Sequence, residues 1–196
     1  MKLIIGLGNI GKEYEKTRHN AGFLCLKQWA KQHELNFTHD FLFDFIKHAG
    51  TYLIMPNTYM NRSGIALAEA QNRWKINDVL AVYDDIELPL GFIRIRSGGG
   101  DGGHNGMGSL LEYATDEIRR IRIGIGRNDS SARDYVLDTF SSEEEKLMKP
   151  ALDQVCKLLD VYVNSDFNAM LDEYSKHKQS YSGVTHSGII CPKEDK

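Results

Sequence analysis

Residues 2–11 read KLIIGLGNIG, a strand followed by a turn, which is the strongest indication of the fold class in the sequence. The first half of this stretch, residues 2–6, is a short apolar run typical of a buried strand, and its second half is a glycine-rich turn. The apolar run at 79–83 predicts a central strand covered on both faces. Between these strands the apolar period becomes helical, from the expected cap Asn20 to about 32 and from 63 to about 74. Strands that alternate with helices predict an α/β fold, a single-domain three-layer sandwich around a twisted mixed, mostly parallel sheet.

The remaining segments add a hairpin and a helical C-terminal part. Residues 41–49 and 51–55 are predicted to pair as a β-hairpin, because a turn-forming His-Ala-Gly stretch joins them. Helices are predicted from Ser141 to about 163, opened by three glutamates, and from about 167 to 176. We therefore expect one domain at 1–179 and a flexible tail at 180–196, where glycine, serine and charge follow no period.

Composition narrows the class of protein. With 41% hydrophobic and 26% charged residues, the chain is ordinary for a soluble globular protein, and its apolar runs are too short to span a bilayer. Three cysteines without metal-ligand spacing favour free thiols in a reducing cytoplasm. The net charge of −3 neither requires nor excludes a nucleic-acid partner, because the acids concentrate from residue 134 onward.

Between residues 94 and 133 the chain contains seven arginines and no lysine. The segments 92–96 and 120–125 alternate basic and apolar side chains, so the arginines of each predicted strand share one face. Two interpretations stay open. The arginines form a stripe that grips phosphate through paired N–H donors, or they are the outward residues of two ordinary strands.

The glycine turn also matches the dinucleotide-binding fingerprint, with Gly6, Gly8 and Gly11 in the GxGxxG spacing. That fingerprint requires a helix that opens at the turn and an acid at the end of a second strand. Here a polar stretch follows at 12–19, and the predicted helix begins only at Asn20. A nicotinamide oxidoreductase is therefore one alternative, and an RNA-binding module without catalysis is another.

Four polar, glycine-containing islands lie where predicted strands end or helices begin, at 8–22, 55–64, 83–91 and 98–106. In α/β sheets such ends form ligand crevices. The islands contain neither a Gly-x-Ser-x-Gly elbow nor a zinc-binding histidine pair, but they hold histidine, carboxylates and asparagines. Histidine can act as a base near neutral pH, a carboxylate can orient it, and amides can donate to an oxyanion. This set of groups suits the hydrolysis of an activated ester without a metal.

Simpler interpretations of the individual residues remain open. His19 can be a helix cap or a surface residue, and Asp84 can be a turn residue. The acidic run at 84–87 can hold Mg²⁺. Asparagines beside glycine can be left-handed turn residues, at Asn9, Asn61 and Asn105.

Taken together, the four islands resemble the bacterial peptidyl-tRNA hydrolase family. The first resembles GLGNPGxxYxxTRHNxG with Ile10 in place of proline, the second resembles PxT[FY]MNxSG, and the fourth resembles GGHNG. The resemblance covers about residues 1–175. It implies a monomeric cytoplasmic enzyme, without metal or organic cofactor, that hydrolyses the ester between a peptide and the 3′ ribose of tRNA. The chain departs from the family at 83–87, where Tyr-Asp-Asp-Ile-Glu replaces the usual His-Asp-Glu-Leu-Asp, and Asp101 adds a negative charge to the glycine loop.

The resemblance also implies roles for nine side chains. His19 matches the catalytic base, Asp84 the carboxylate that orients it, and Asn9 a catalytic residue that positions the water. The side chains matched to binding of the peptide and the tRNA end are Tyr14, Met60, Asn61 and Asn105. Those matched to the tRNA 5′-phosphate region are Arg96 and Arg122.

Overall fold

The structure, a computed structural model, describes residues 1–181, so residues 182–196 of the predicted tail lie outside the described residues. The strands are β1 (Lys2–Gly6), β2 (Phe43–His48), β3 (Thr51–Pro56), β4 (Asp78–Asp85), β5 (Ile93–Ser97) and β6 (Ile118–Gly124). The helices are α1 (Ala21–Gln32), α2 (Ser63–Arg73), α3 (Asn105–Tyr113), α4 (Ala132–Leu137), α5 (Ser142–Asn164) and α6 (Phe167–Tyr181). Two 3₁₀ turns precede α1 and α2, at Arg18–Asn20 and Met60–Arg62.

The six strands form one sheet in the order β2-β3-β1-β4-β6-β5. The four inner strands run parallel, whereas β2 and β5 at the edges are antiparallel to their neighbours. The predicted hairpin and the mixed, mostly parallel sheet are therefore confirmed. The chain continues from β1 toward one edge and from β4 toward the other, so the strand order reverses between these two strands. At such a switch point the carboxyl ends of the strands open a crevice.

Helices cover both faces of the sheet and enclose two apolar cores. Trp29 of α1, Leu159 of α5 and Met170 of α6 are fully buried in one core. Leu67 of α2 and Leu110 of α3 are fully buried in the other. The predicted three-layer sandwich is confirmed. Within residues 1–181, no helix has the length and apolar character needed to cross a membrane.

Close packing at Gly22 sets the start of α1 directly against the ends of β1 and β4. A Cβ atom at this position would lie 2.5 Å from the backbone nitrogen of Leu7 and would also collide with the carbonyl oxygen of Val82. Any side chain would push the helix away, so glycine is required here. This packing holds the preceding turn Arg18–Asn20 over the carboxyl end of β4.

Two helices are additional to the sequence prediction. α3 contains Gly106 and Gly108, which lower helix propensity and weaken its sequence signal. Its first turn is stabilised by His104, whose side chain accepts a hydrogen bond from the Met107 N–H (3.1 Å). α4 has six residues, too few to show a helical period.

The predicted start of α5 is confirmed as a capping box. Ser141 Oγ accepts from the Glu144 N–H (3.2 Å), and the Glu144 carboxylate accepts from the Ser141 N–H (2.7 Å). Ser141→Ala is expected to lower the free energy of unfolding by about 1 kcal/mol, because it leaves a helix N–H without its partner. Urea denaturation measures the change. Ser142→Ala, at an exposed position without a side-chain hydrogen bond among the described residues, is the control. Equal stability of the two variants would contradict the assignment.

Candidate active site

A cleft of about 480 Å³ opens at the carboxyl ends of β1 and β4, where the strand order reverses. Seven of the nine predicted side chains line it: Asn9, His19, Met60, Asn61, Asp84, Asn105 and Arg122. Tyr14 and Arg96 are not among its lining residues. Tyr14 lies in the turn at 11–17, where its carbonyl accepts from the Thr17 hydroxyl (2.9 Å), and Arg96 is exposed on β5.

His19 is held at the floor of the cleft by Asp84. The histidine is only 8% exposed, and its Nδ1 lies 2.9 and 3.1 Å from the two Asp84 oxygens. An ionised carboxylate only accepts hydrogen bonds, so Nδ1 carries the proton and Nε2 keeps its lone pair. Nε2 has no protein partner within the described part of the chain, and His19 lines the cleft. The surface and cap interpretations of His19 are therefore wrong, and its free nitrogen is available to a water molecule.

Asp84 is the penultimate residue of β4 and is 2% exposed, so its interpretation as a turn residue is wrong. Burial alone raises the pKa of its carboxyl. Attraction to His19 and His104, with hydrogen bonds from both rings, outweighs burial and holds this pKa well below its usual range. Asp84 is therefore a carboxylate at any pH at which histidine titrates.

His104 completes the arrangement, although the sequence patterns predicted no role for it in the site. Its Nε2 donates to Asp84 Oδ1 (3.1 Å), and its ring centroid lies 4.9 Å from that of His19. Its Nδ1 accepts from the Met107 N–H, which fixes the tautomer with hydrogen on Nε2. His104 thus holds Asp84 through Oδ1, the same oxygen that lies 2.9 Å from His19 Nδ1. The signals in the sequence were a histidine directly after two glycines and its place in the GGHNG motif, and neither indicates the contact with Asp84.

The same three side chains bring possible metal ligands within 4.8 Å of one another. A metal on His104 Nε2 would require the ring proton to move to Nδ1. There it would face the Met107 N–H, a second donor, and the first turn of α3 would lose its cap. His19, Asp84 and His104 therefore fit a hydrogen-bonded chain better than a metal centre.

The magnesium interpretation of the acidic run 84–87 is wrong, because its carboxylates point to different partners. Asp84 binds the two histidines, Asp85 pairs with Arg122 (2.6 Å, Oδ2 to Nε) and Glu87 pairs with Arg127 (2.8 Å). An oxygen-ligated cation needs several of these oxygens at one point.

Asn9 follows β1 and presents an oriented amide to the cleft. The Asn20 side chain receives the Asn9 N–H (2.7 Å) and donates to the Asn9 carbonyl (2.9 Å). Asn9 Oδ1 in turn accepts from the Met60 N–H (2.9 Å), which identifies the amide oxygen and leaves Nδ2 as a donor toward the cleft. Asn20 stands at the N-cap position of α1, as predicted, but its side chain makes no capping bond and binds Asn9 instead.

Backbone strain lies beside this contact. Tyr59 has φ 60° and ψ 162°, a conformation that a residue with a side chain rarely adopts, and it immediately precedes Met60. Such strain persists where the surroundings hold it and is common at functional sites. Here it directs the Met60 N–H at Asn9.

Asn61 and Asn105 provide two further amides at the cleft. Asn61 lies in the turn Met60–Arg62 and Asn105 begins α3. Neither side chain has a hydrogen-bond partner in the region the structure describes. The left-handed interpretation is wrong for these two and for Asn9, because the described residues with positive φ other than glycine are Glu34, Ala49 and Tyr59.

Four arginines of β5 and β6 share one face of the sheet, as the alternation predicts, whereas Arg119 of β6 lies on the other face. Arg94 lies opposite Arg122, and Arg96 lies opposite Arg120. Like charges directly opposite each other are unfavourable unless they find other partners. Arg122 has Asp85 and lines the cleft, Arg120 is buried, and Arg94 and Arg96 are exposed. The face next to the cleft is therefore positively charged.

The dinucleotide alternative does not fit the glycine turn. No helix opens at Gly11; residues 12–17 form turns instead. The space beside Gly8 is occupied by Phe23, whose ring would lie 2.5 Å from an added Cβ. A pyrophosphate would lack the helix N-terminus that it requires.

Comparisons with known proteins agree with this geometry. The family model described as peptidyl-tRNA hydrolase matches residues 3–182. The peptidyl-tRNA hydrolase of Bacillus subtilis strain 168 is 40% identical over 185 residues, covering 89% of this chain and 98% of that protein. The one from Syntrophomonas wolfei is 39% identical over 183 residues, covering 89% and 100%. The crystal structure of peptidyl-tRNA hydrolase from Acinetobacter baumannii superposes with a TM-score of 0.80 at 33% identity, covering 88% of this chain and 93% of that one. The chain belongs to the peptidyl-tRNA hydrolase family.

Proposed function

We propose that this chain hydrolyses the ester between the C-terminus of a peptide and the 3′ ribose of tRNA, releasing peptide and free tRNA. The observation that carries the proposal is the His19–Asp84 pair, with the free Nε2 of His19 at the floor of a cleft bordered by unpaired amides. Family membership identifies the ester as that of peptidyl-tRNA.

The reaction follows from the protonation states of these groups. His19 Nε2 takes a proton from water, and the resulting hydroxide attacks the ester carbonyl. Asp84 stabilises the imidazolium that forms. Asn9 Nδ2 donates to the water or to the oxyanion, which it can do without carrying a charge. When the ester bond breaks, His19 returns its proton to the departing ribose oxygen.

The side-chain amides of Asn61 and Asn105 are proposed to recognise the peptide. Asn61 and Asn105 can both donate to and accept from a peptide backbone, and Met60 contributes apolar surface nearby. A free aminoacyl group presents a solvated ammonium in place of the first peptide N–H and C=O. We therefore propose that N-blocked esters are preferred, and that Tyr14 contacts the tRNA end outside the cleft.

Arg96 and Arg122 are proposed to bind the tRNA 5′-phosphate region. Each lost phosphate contact is expected to reduce the slope of log affinity against log salt by about 0.7–0.9. Arg96→Gln combined with Arg122→Gln should therefore weaken tRNA binding and flatten its salt dependence. Lys157→Gln, at an exposed position on α5, removes one charge elsewhere and is the control. A double variant with the wild-type salt slope would refute the phosphate assignment.

The proposed enzyme works as a cytoplasmic monomer without metal or organic cofactor. The test is release of N-acetyl-aminoacyl groups from tRNA in the presence of EDTA, compared with release from free aminoacyl-tRNA. We expect release from the blocked substrate alone, at a rate that EDTA does not change. Folded protein that binds tRNA but releases nothing would contradict the proposed activity and indicate an RNA-binding module.

A further inference from the structure

Arg120 is a buried cation without a carboxylate partner. It is 3% exposed and makes no ion pair with any side chain that the structure describes. Its two terminal nitrogens donate instead to two consecutive backbone carbonyls, those of Gly99 and Gly100. A buried charge that loses its hydrogen bonds is strongly unfavourable. The position of Arg120 and the position of this backbone are therefore mutually dependent.

The backbone that Arg120 binds is the glycine loop at 98–103. Gly98 and Gly99 have φ values of 70° and 98°, in the left-handed region that other residues rarely adopt. This conformation allows successive carbonyls to converge on one guanidinium. The loop is otherwise tied at its ends, by the Gly98 N–H to the Ile118 carbonyl (3.1 Å) and by the turn bonds of Asp101. Among described residues, Arg120 is the only side chain outside the loop that hydrogen-bonds to it.

Tyr83 connects this anchor to the active site. It is 3% exposed, and its ring meets the ring of His104 edge-on with centroids 4.8 Å apart. Its hydroxyl lies in the field of the arginines: burial raises the pKa of Tyr83, and the charges of Arg120 and Arg122 oppose that effect. One edge of the Tyr83 ring thus contacts His104. Tyr83 also pairs with Arg122 in the β4–β6 register, so its side chain lies on the face of the sheet that carries Arg120.

We propose that Arg120 and Tyr83 are positioning residues for the hydrolysis, forming a buried strut that fixes the glycine loop and thereby His104 and Asn105. The strut acts through His104 on Asp84 and through Asn105 on the substrate. Arg120 differs in this respect from Arg96 and Arg122, which face the solvent and the cleft. This inference rests on the proposed function for its kinetic consequence but not for its structural one.

The kinetic test uses Arg120→Lys in the full-length protein with two substrates. Lysine keeps the charge, but its single nitrogen does not reproduce the planar fork that reaches both carbonyls. One substrate is N-acetyl-aminoacyl-tRNA, and the other is the same ester on a short CCA oligonucleotide without a 5′ phosphate. We expect kcat to fall by about tenfold or more on both, since small misplacements of reacting groups are costly, with an unchanged salt slope of KM on tRNA. Arg73→Lys, the same change on α2 remote from the cleft, should leave both rates unchanged.

Two results would overturn the strut. A loss confined to tRNA, with a flattened salt slope, would make Arg120 a phosphate ligand. Unchanged kcat on both substrates, with only a lower free energy of unfolding, would leave it a purely structural residue. If Arg120→Lys fails to fold, Tyr83→Phe removes only the hydroxyl and should give a smaller loss of kcat on both substrates.

Amide hydrogen exchange separates failure of the strut from failure of the proposed function. Arg120→Lys is expected to speed exchange at the amides of residues 98–104 while the amides of β1 and β4 keep their protection. This holds whether or not the wild-type protein hydrolyses the ester. Unchanged exchange in the loop would refute the strut even if the enzyme is active.

Discussion

Replacing His19 with alanine is expected to lower kcat on N-acetyl-aminoacyl-tRNA by about 10²–10⁴-fold, the usual contribution of a general base. The reason is local: Nε2 of His19 is the unpaired ring nitrogen at the cleft floor, since Nδ1 is committed to Asp84 and His104 is bonded at both nitrogens. The KM for tRNA should change little, because the proposed phosphate contacts are made by Arg96 and Arg122 and not by His19. Single-turnover release measured by quench separates the chemical step from binding.

The control for this variant is another histidine. The side chain of His39 is 82% exposed, and among the described residues it pairs only with Asp44. His39→Ala should retain wild-type kcat. If His19→Ala retained near-normal turnover, the base would have to be another group, and the assigned mechanism would be wrong.

Replacing Asp84 with asparagine is expected to lower kcat by about 10⁴-fold, the loss seen when the carboxylate behind a catalytic histidine becomes an amide. An amide NH₂ facing Nδ1 would favour the other tautomer of His19, with the proton on Nε2 where the lone pair is needed. The fold should survive, because an asparagine oxygen can still accept from His104. Asp172→Asn, exposed on α6, is the control. Near-normal activity would remove Asp84 from the mechanism.

The pH dependence of kcat should differ between the wild type and Asp84→Asn in a defined direction. In the wild type the low pKa of Asp84 keeps it ionised, so Asp84 itself does not contribute to the acid limb of the rate profile. Asp84→Asn removes the negative charge that stabilises the imidazolium, so the residual activity should persist to lower pH. An acid limb at the same pH in both proteins would contradict the coupling.

The pH dependence of the free energy of unfolding should also reflect the ionisation of Asp84. Because the pKa of Asp84 is lower in the folded protein than the unfolded value of about 4, its ionisation stabilises the fold above that pH. This contribution is lost as the pH falls toward the folded pKa. Urea titrations are therefore expected to show that the stability difference between wild type and Asp84→Asn shrinks below about pH 4. A constant difference would mean that the pKa of Asp84 is the same in the folded and unfolded protein.

Local sequence patterns predicted what depends on neighbours along the chain. The apolar runs at 2–6 and 79–83 became the adjacent parallel strands β1 and β4, and the arginine alternation placed side chains on one face of β5 and β6. The resemblance to the family motifs predicted that His19 and Asp84 act together, although they are 65 positions apart. Periodicity alone could not make that pairing, since it contains no information about which strand end meets which helix.

What the sequence could not predict depends on contacts across the fold. Asparagine is a common helix cap and Asn20 directly precedes a helix, yet its amide binds Asn9 because the two chain segments meet there. His104 received no role because its bond to Asp84 crosses 20 positions. Arg120 and Arg122 are equivalent in the alternation, but the glycine loop buries the first and the cleft receives the second.

In the proposed mechanism, water activated by His19 attacks the acyl carbonyl of the ester. A single turnover of N-acetyl-aminoacyl-tRNA in H₂¹⁸O with EDTA tests it most directly. We expect one ¹⁸O atom in the carboxylate of the released N-acetyl-amino acid and none in the 3′-terminal ribose of the tRNA. Label in the ribose hydroxyl, or a released acid without label, would contradict it.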